Sequence, residues 1–204
     1  PPSISMSMLT SLVKIIGYAA GPFILEKYVF AAPAASLGLV SGATLVLPRA
    51  FGLVILSNLV LGSLTTFYLG FGIVGAARKK YGIKYPTMHV TSQKEGDDAH
   101  MFNCAQRVHG NTLESLPALL ALSIVGGLKH PIATALAGLL WSFSRIQWAK
   151  GYMSGEPGKR YESFWGLHVW TSIMILLLAS ISTAVSLLMG KKLNPVPYTL
   201  NPIL

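Results

Sequence analysis

The stretch Phe102–Glu114, FNCAQRVHGNTLE, places several polar side chains directly before a run of almost wholly apolar residues. Asn103, Arg107, Asn111 and Glu114 are spaced by four, four and three residues, so they fall on one face of a helix. A polar stripe that enters an apolar span is costly in a lipid bilayer unless it faces a partner, a cavity or a ligand. The stretch therefore indicates either a binding surface on a membrane helix or an interfacial helix end whose polar groups meet only lipid headgroups.

The composition is that of an integral membrane protein. The chain has 204 residues, of which 52% are hydrophobic and only 11% are charged, and its mean hydropathy is +0.55. A soluble domain usually has about a quarter of its residues charged. The formal net charge is +9, but the lysines and arginines lie beside apolar runs, as in loops near anionic headgroups, so nucleic acid is not expected as a partner. The single Cys104 and the scattered histidines predict no metal site and exclude an internal disulfide framework.

Four apolar segments predict an all-α, integral membrane four-helix bundle. Asp97 and Asp98 can cap the second helix, Pro117 lies inside it, and Pro131 suits the first position of the third. Asn58, in the middle of the first span, is expected to contact a neighbouring helix. The predicted spans are residues 50–76, 98–128, 131–152 and 164–189.

Three regions follow from this reading of the chain. Residues 48–190 form the four-helix transmembrane domain, and residues 191–204, which contain three prolines, form an extended tail. Residues 1–47 form an apolar N-terminal extension that is too broken for a regular span, so we expect an interfacial or re-entrant segment. The excess of basic residues in the first and third loops predicts that this side faces the cytosol or a matrix, in a membrane of the endoplasmic reticulum or the mitochondrion.

A second stripe lies at the far end of the third span. Trp141, Arg145, Trp148 and Tyr152 are spaced by four, three and four residues, which again places them on one helical face. Because this end lies on the same side of the membrane as Arg107, several basic groups converge at one depth. Arginines bind carboxylates through two hydrogen bonds and stabilise thiolates or alkoxides, so the sequence predicts a pocket for a small anion. The residues alone do not name the substrate.

Four motifs give the chain a resemblance to a known family. From about Arg49 to Met189 it resembles the membrane-associated proteins in eicosanoid and glutathione metabolism. This resemblance implies a homotrimer of four-helix subunits, with glutathione bound between neighbouring subunits. The matching motifs, in chain order, are ARKKYGIKYP (77–86), FNCAQRVHGNTLE (102–114), VGGLKHP (125–131) and KGYMSGEPGKR (150–160).

The resemblance also implies roles for individual residues. Arg107, Asn111 and Glu114 correspond to the positions that grip glutathione in the family. Arg160 corresponds to the arginine that holds the thiolate, or Lys159 does if the motifs are aligned without a gap. The remaining positions implied to bind glutathione are Arg78 and Lys79 from a neighbouring subunit, and His109, Trp148 and Tyr152.

Some of these positions depart from the family pattern. Trp148 stands where close relatives carry a tyrosine, Ser115 stands where one branch has a tyrosine, and His109 replaces that branch's glutamine. A tryptophan donates one hydrogen bond but has no hydroxyl group. The residues that grip glutathione are thus kept, while their surroundings have changed.

Two functions are compatible with these features. The first is a membrane glutathione transferase or glutathione-dependent peroxidase, which uses glutathione as co-substrate against lipophilic electrophiles or lipid hydroperoxides. The second is a non-catalytic accessory subunit of a larger organellar membrane complex, in which the extension and the tail add contact surface. The retained residues Arg107, Asn111 and Glu114 favour the enzyme.

Overall fold

The computed structural model describes residues 47–48, 50–91, 96–190 and 193. Within these residues all regular structure is helical and no strand occurs, which confirms the predicted all-α class with four long helices. The predicted extension apart from Leu47, and the predicted tail apart from Leu193, lie outside the described residues. The helices are α1 (Phe51–Tyr81), α2 (Asp98–Gly127), α3 (Pro131–Tyr152) and α4 (Phe164–Leu188), with a short 3₁₀ helix (Pro157–Tyr161) between the last two.

Residues at the helix ends explain where the helices begin and stop. Asp97 caps α2, because its carboxylate accepts a 2.6 Å hydrogen bond from the backbone N–H of His100. Pro131 occupies the first turn of α3, as predicted. At the end of α1, Gly82 has a φ of 67°, a left-handed conformation that glycine adopts without a steric penalty. Helix α2 continues through Pro117.

The four helices differ in how apolar they are. In the described part of the chain, α1 and α4 are long and apolar enough to cross a membrane. Helices α2 and α3 have 30 and 22 residues, so they are also long enough to cross a membrane, but they are less apolar than α1 and α4. The reason is that the polar stripes of the sequence lie on these two helices.

The hydrophobic core joins all four helices. Leu69 of α1, Leu119 of α2, Trp141 of α3 and Leu176 of α4 are at most 1% exposed and belong to one buried cluster. Between helices in a lipid bilayer, such side chains stabilise the bundle through close packing rather than through removal of apolar surface from water. The cluster fixes the relative positions of the helix faces that carry the polar stripes.

A buried polar contact also connects the helices near their middle. The Asn58 side chain donates a 3.1 Å hydrogen bond to the carbonyl oxygen of Thr134 and accepts a 2.8 Å hydrogen bond from the Ser123 hydroxyl. This confirms that Asn58 contacts neighbouring helices. A Cβ atom at Gly138 would lie 2.3 Å from the Asn58 side chain, so only glycine fits there. Asn58 thereby joins α1 to both α2 and α3.

The turn between α2 and α3 is attached to α4. The Lys129 ammonium group donates hydrogen bonds to the hydroxyl groups of Ser182 and Ser186, at 2.9 and 2.7 Å. The His130 Nε2 atom lies 2.9 Å from the same Ser182 hydroxyl oxygen. Burial and the neighbouring charge of Lys129 hold the pKa of His130 below its usual value. These contacts hold three helices together at the end of the bundle that lies away from Arg107.

Candidate functional site

A cavity of about 320 Å³ lies where the first half of α2, the end of α3, the 3₁₀ helix and the first half of α4 meet. Its polar lining comprises Arg107, Asn111, Glu114, Ser115, Arg145 and Arg160. Its other walls are Trp148, Tyr161, Val169, Trp170 and Ile173. Three guanidinium groups thus face one carboxylate, which leaves the cavity with an excess of positive charge.

The face of α2 predicted from the sequence forms one wall of this cavity. Arg107 donates a 2.9 Å hydrogen bond to Glu114, and Asn111 donates a 3.3 Å hydrogen bond to the other oxygen of the same carboxylate. The side chains of Arg107 and Glu114 remain 52% and 55% exposed. An exposed ion pair of this kind is worth at most about 1 kcal/mol, so a charged ligand can take either partner.

Asn103, which the spacing placed in the same stripe, lies elsewhere. Its side-chain amide donates a 2.6 Å hydrogen bond to the carbonyl oxygen of Val90 and accepts a 3.0 Å hydrogen bond from the Val90 backbone N–H. Asn103 therefore connects α2 to the backbone of Val90 in the loop that precedes this helix. The stripe that reaches the cavity begins at Arg107.

Arg145 of α3 is the most buried charged group at the cavity, with only 2% of the residue exposed. It donates hydrogen bonds to the Asn111 side-chain oxygen at 2.8 Å and to the Ser115 hydroxyl at 3.0 Å. Its Nε atom is buried and has no partner within the described residues. The rings of Trp141 and Trp148 lie 5.3 and 5.0 Å from the guanidinium carbon. The result is a rigid positive charge with an unused hydrogen-bond donor.

Arg145 was part of the aromatic stripe found in the sequence but was not among the residues predicted to bind glutathione. The signal that could have selected it was present, because an arginine inside an aromatic face of a membrane helix is expensive unless it serves a site. Its contact with Asn111 depends on the packing of α3 against α2, which sequence periodicity does not give.

The 3₁₀ helix reaches the cavity because two glycines allow close backbone approach. A Cβ atom at Gly151 would lie 2.4 Å from the carbonyl oxygen of Lys159, and one at Gly166 would lie 2.3 Å from that of Arg160. The Arg160 guanidinium donates a 2.8 Å hydrogen bond to the carbonyl oxygen of Pro157. Its carbon lies 4.8 Å from the centre of the Tyr161 ring. Arg160 is thus held at the cavity by its own segment.

Tyr161 and Trp170 line the cavity and were not predicted from the sequence. The Trp170 indole N–H donates a 3.3 Å hydrogen bond to the Tyr161 hydroxyl. Burial alone would raise the pKa of Tyr161, but polar N–H groups of Trp170, Arg160 and Trp148 and the charge of Arg160 outweigh burial and lower it. No sequence pattern marked this pair beyond the position of Tyr161 beside Arg160.

Lys159 and Tyr152 lie beside the cavity but are not among its lining residues. The Lys159 ammonium group forms a 2.7 Å ion pair with Glu156, whose hydrogen bond and charge raise the pKa of Lys159. The Tyr152 ring packs 5.2 Å from the Trp148 ring, centre to centre. Of the two residues implied to hold a thiolate, Arg160 is therefore the one that lines the cavity.

Arg78 and His109 lie at a second cavity, of about 340 Å³, with mostly apolar walls from α1 and α2. Arg78 is 7% exposed, and its guanidinium carbon lies 4.2 Å from the Tyr85 ring centre. His109 packs against Gly70, where a Cβ atom would lie 2.8 Å from its Nε2 atom. Lys79 is exposed and lies beside Arg78 at the end of α1. The single chain does not bring these three residues to the cavity of Arg107.

The fold and the cavity define a class: a helical membrane protein with an arginine-rich cavity between its helices. A family model described as MAPEG family matches residues 55–181 of this chain. The chain therefore belongs to the MAPEG family, which includes glutathione transferases and related proteins and whose members generally use glutathione. The described residues contain no group of histidine, cysteine or acidic side chains that could hold a metal ion.

Proposed function

We propose that this protein is a membrane glutathione transferase or glutathione-dependent peroxidase that acts on lipophilic electrophiles or lipid hydroperoxides. The observation that carries the proposal is the single cavity that gathers Arg107, Arg145 and Arg160 around Asn111 and Glu114. Guanidinium groups match carboxylates through paired hydrogen bonds, and Glu114 offers a partner for an ammonium group. Within the family, we propose a resemblance to microsomal glutathione transferase type 3, which the KGYMSGEPGKR stretch (150–160) and His109 motivate.

The charge of the cavity suits glutathione in its thiolate form. Three guanidinium groups and one carboxylate leave an excess of two positive charges. Glutathione carries two carboxylates and one ammonium group, so loss of the thiol proton gives it a matching excess of two negative charges. Arg145 lines the same cavity and holds one of these positive charges in a buried position.

Stabilising the thiolate is within reach of the groups present. Lowering a thiol pKa by about two units requires about 2.7 kcal/mol of differential stabilisation. One positive charge about 4 Å away contributes roughly 4 kcal/mol at the effective dielectric constant found near protein surfaces. Arg160 lines the cavity with its charge unpaired in the described residues, so we assign it the thiolate. The thiolate would then attack an electrophilic carbon and expel its leaving group. In the peroxidase reaction it would attack the O–O bond, which releases the alcohol and forms a glutathione sulfenic acid, and a second glutathione would convert this acid to the disulfide and water.

We further propose that the complete site forms in a homotrimer. Arg78 is buried, and the described residues give it no carboxylate partner. It lies with His109 at a cavity separate from that of Arg107, which is the arrangement expected if α1 of one subunit lies beside the site of the next. In this proposal Arg78 and Lys79 reach glutathione from the neighbouring subunit, in a membrane of the endoplasmic reticulum or the mitochondrion.

One observation favours the alternative of a non-catalytic accessory subunit. Ser115 stands where a branch of the family has a tyrosine, and its hydroxyl group is already used by Arg145 at 3.0 Å. Trp148 likewise supplies no hydroxyl group. The site can therefore bind glutathione while lacking groups that some relatives use in turnover.

Binding and turnover, measured separately on the purified protein, test these functions. Calorimetry with glutathione is compared with assays that supply glutathione and either an aryl halide or a lipid hydroperoxide. Binding together with turnover supports the enzyme, and binding alone supports the accessory subunit. Arg107→Ala should weaken binding, whereas Lys150→Ala, at an exposed lysine outside the cavity, should not. Absence of binding to the wild-type protein would reject the glutathione site.

A further inference from the structure

The Tyr161 hydroxyl group accepts hydrogen bonding through its oxygen and has a proton left to donate. Its oxygen accepts the 3.3 Å hydrogen bond from the Trp170 indole N–H. A phenol can accept and donate at the same time, and the Tyr161 O–H proton has no acceptor within the described residues. Because both rings line the cavity, the indole orients the phenol toward a ligand that can accept a hydrogen bond.

The charged groups around Tyr161 favour an anionic ligand. Helix α2 contributes Arg107 and Glu114, helix α3 contributes Arg145, and the segment of Tyr161 itself contributes Arg160. Helix α4 supplies no charged side chain to the lining, only Trp170 and aliphatic groups. The Arg160 guanidinium carbon lies 4.8 Å from the Tyr161 ring centre. An anion held by Arg160 would therefore lie beside the phenol.

We propose that Tyr161 is a catalytic residue whose hydroxyl group donates a hydrogen bond to the glutathione thiolate, next to the charge of Arg160. This inference rests on the proposed function, because it requires glutathione in the cavity. The thiol proton leaves to water, the phenol keeps its own proton, and no covalent bond to the protein forms. The hydrogen bond favours the thiolate over the thiol and so lowers the thiol pKa.

The surroundings of the phenol strengthen this donor. The net effect of burial and of the neighbouring N–H groups and charge is a pKa of Tyr161 below its usual value. A more acidic phenol donates a stronger hydrogen bond to an anion.

The test compares Tyr161→Phe with the wild-type protein in the presence of saturating glutathione. The thiolate is followed by its ultraviolet absorbance against pH, with S-methylglutathione as the blank because it has no thiol. We expect the thiol pKa to rise by about one unit in Tyr161→Phe, which leaves about tenfold less thiolate below that pKa. The glutathione Kd, measured well below the thiol pKa, should stay unchanged. The matched control is Tyr68→Phe, which removes an exposed hydroxyl of α1 outside the cavity.

A second variant covers the case in which Tyr161→Phe fails to fold. Trp170→Phe removes the N–H group that orients the phenol, and it should raise the thiol pKa in the same direction by a smaller amount. If folded Tyr161→Phe, or Trp170→Phe where Tyr161→Phe does not fold, binds glutathione and keeps the wild-type thiol pKa, the role of Tyr161 is refuted and the proposed function stands. If the wild-type protein binds no glutathione, the proposed function fails and this role fails with it.

Discussion

Replacing Arg145 by methionine should separate a binding role from a structural one. The wild-type side chain is 2% exposed and donates hydrogen bonds to Asn111 and Ser115 at 2.8 and 3.0 Å. Losing hydrogen bonds to a charged group costs about 1.5–3 kcal/mol each. The change also removes a buried ion that has no carboxylate partner in the described residues, and the penalty for burying such an ion is several kcal/mol. Since these contributions oppose each other, we expect the free energy of unfolding to change by only about 1 kcal/mol.

Binding of glutathione should respond much more strongly. A ligand carboxylate that loses one charge-assisted hydrogen bond loses about 1.5–3 kcal/mol, which raises the Kd by about 10- to 150-fold. The assay is calorimetry of Arg145→Met in detergent, beside thermal unfolding of the same sample. Lys150→Met, at an exposed position of the same helix, is the control. A protein that unfolds far more easily but keeps the wild-type Kd would show that Arg145 serves the fold and not the ligand.

Four other expectations follow from the same contacts. Arg107→Ala should raise the glutathione Kd about tenfold with little effect on thermal stability, because its ion pair with Glu114 is half exposed; an unchanged Kd would contradict this role. Arg160→Ala should keep binding but raise the pKa of the bound thiol, and an unchanged thiolate titration would transfer the role to Lys159. The pKa of His130 is lower in the folded protein than in the unfolded chain, so protonation favours unfolding and thermal stability should fall as the pH drops below about 6.5. His130→Gln should make thermal stability depend less on pH in this range, and an unchanged dependence would refute the assignment. Native mass measurement in detergent should show trimers, and monomers that still hold glutathione would refute the composite site.

The sequence predicted the helices well because their signals are local. Asp97 caps α2 and Pro131 begins α3 through contacts within a few residues, as their positions indicated. The face formed by Arg107, Asn111 and Glu114 was also predictable, since the spacing along one helix determines which side chains lie together. Local rules of this kind need no knowledge of how the helices pack.

The other parts of the site depend on packing between segments. Asn103 shares the spacing of the stripe, but its side chain forms hydrogen bonds with the backbone of Val90. A contact with a loop of this kind leaves no periodic pattern in the sequence. Tyr161 and Trp170 meet only because the 3₁₀ helix packs against α4. His109 is different, because two residues along a helix correspond to about 200° of rotation, so the spacing itself places it away from the face of Arg107, and it lies at a different cavity. The contacts of Asn103 and of the Tyr161–Trp170 pair join separate segments, so the spacing along one helix does not predict them.

The close approach at Gly151 and Gly166 has a mechanical consequence. Since no side chain separates the Arg160 segment from α3 and α4 at these two points, the position of the guanidinium group follows the backbones of both helices directly. A change in the crossing angle of α3 and α4 would therefore move the positive charge relative to the cavity. The thickness and lateral pressure of the surrounding bilayer act on helix tilt, so the lipid composition of the membrane becomes one of the quantities that set the field at the site.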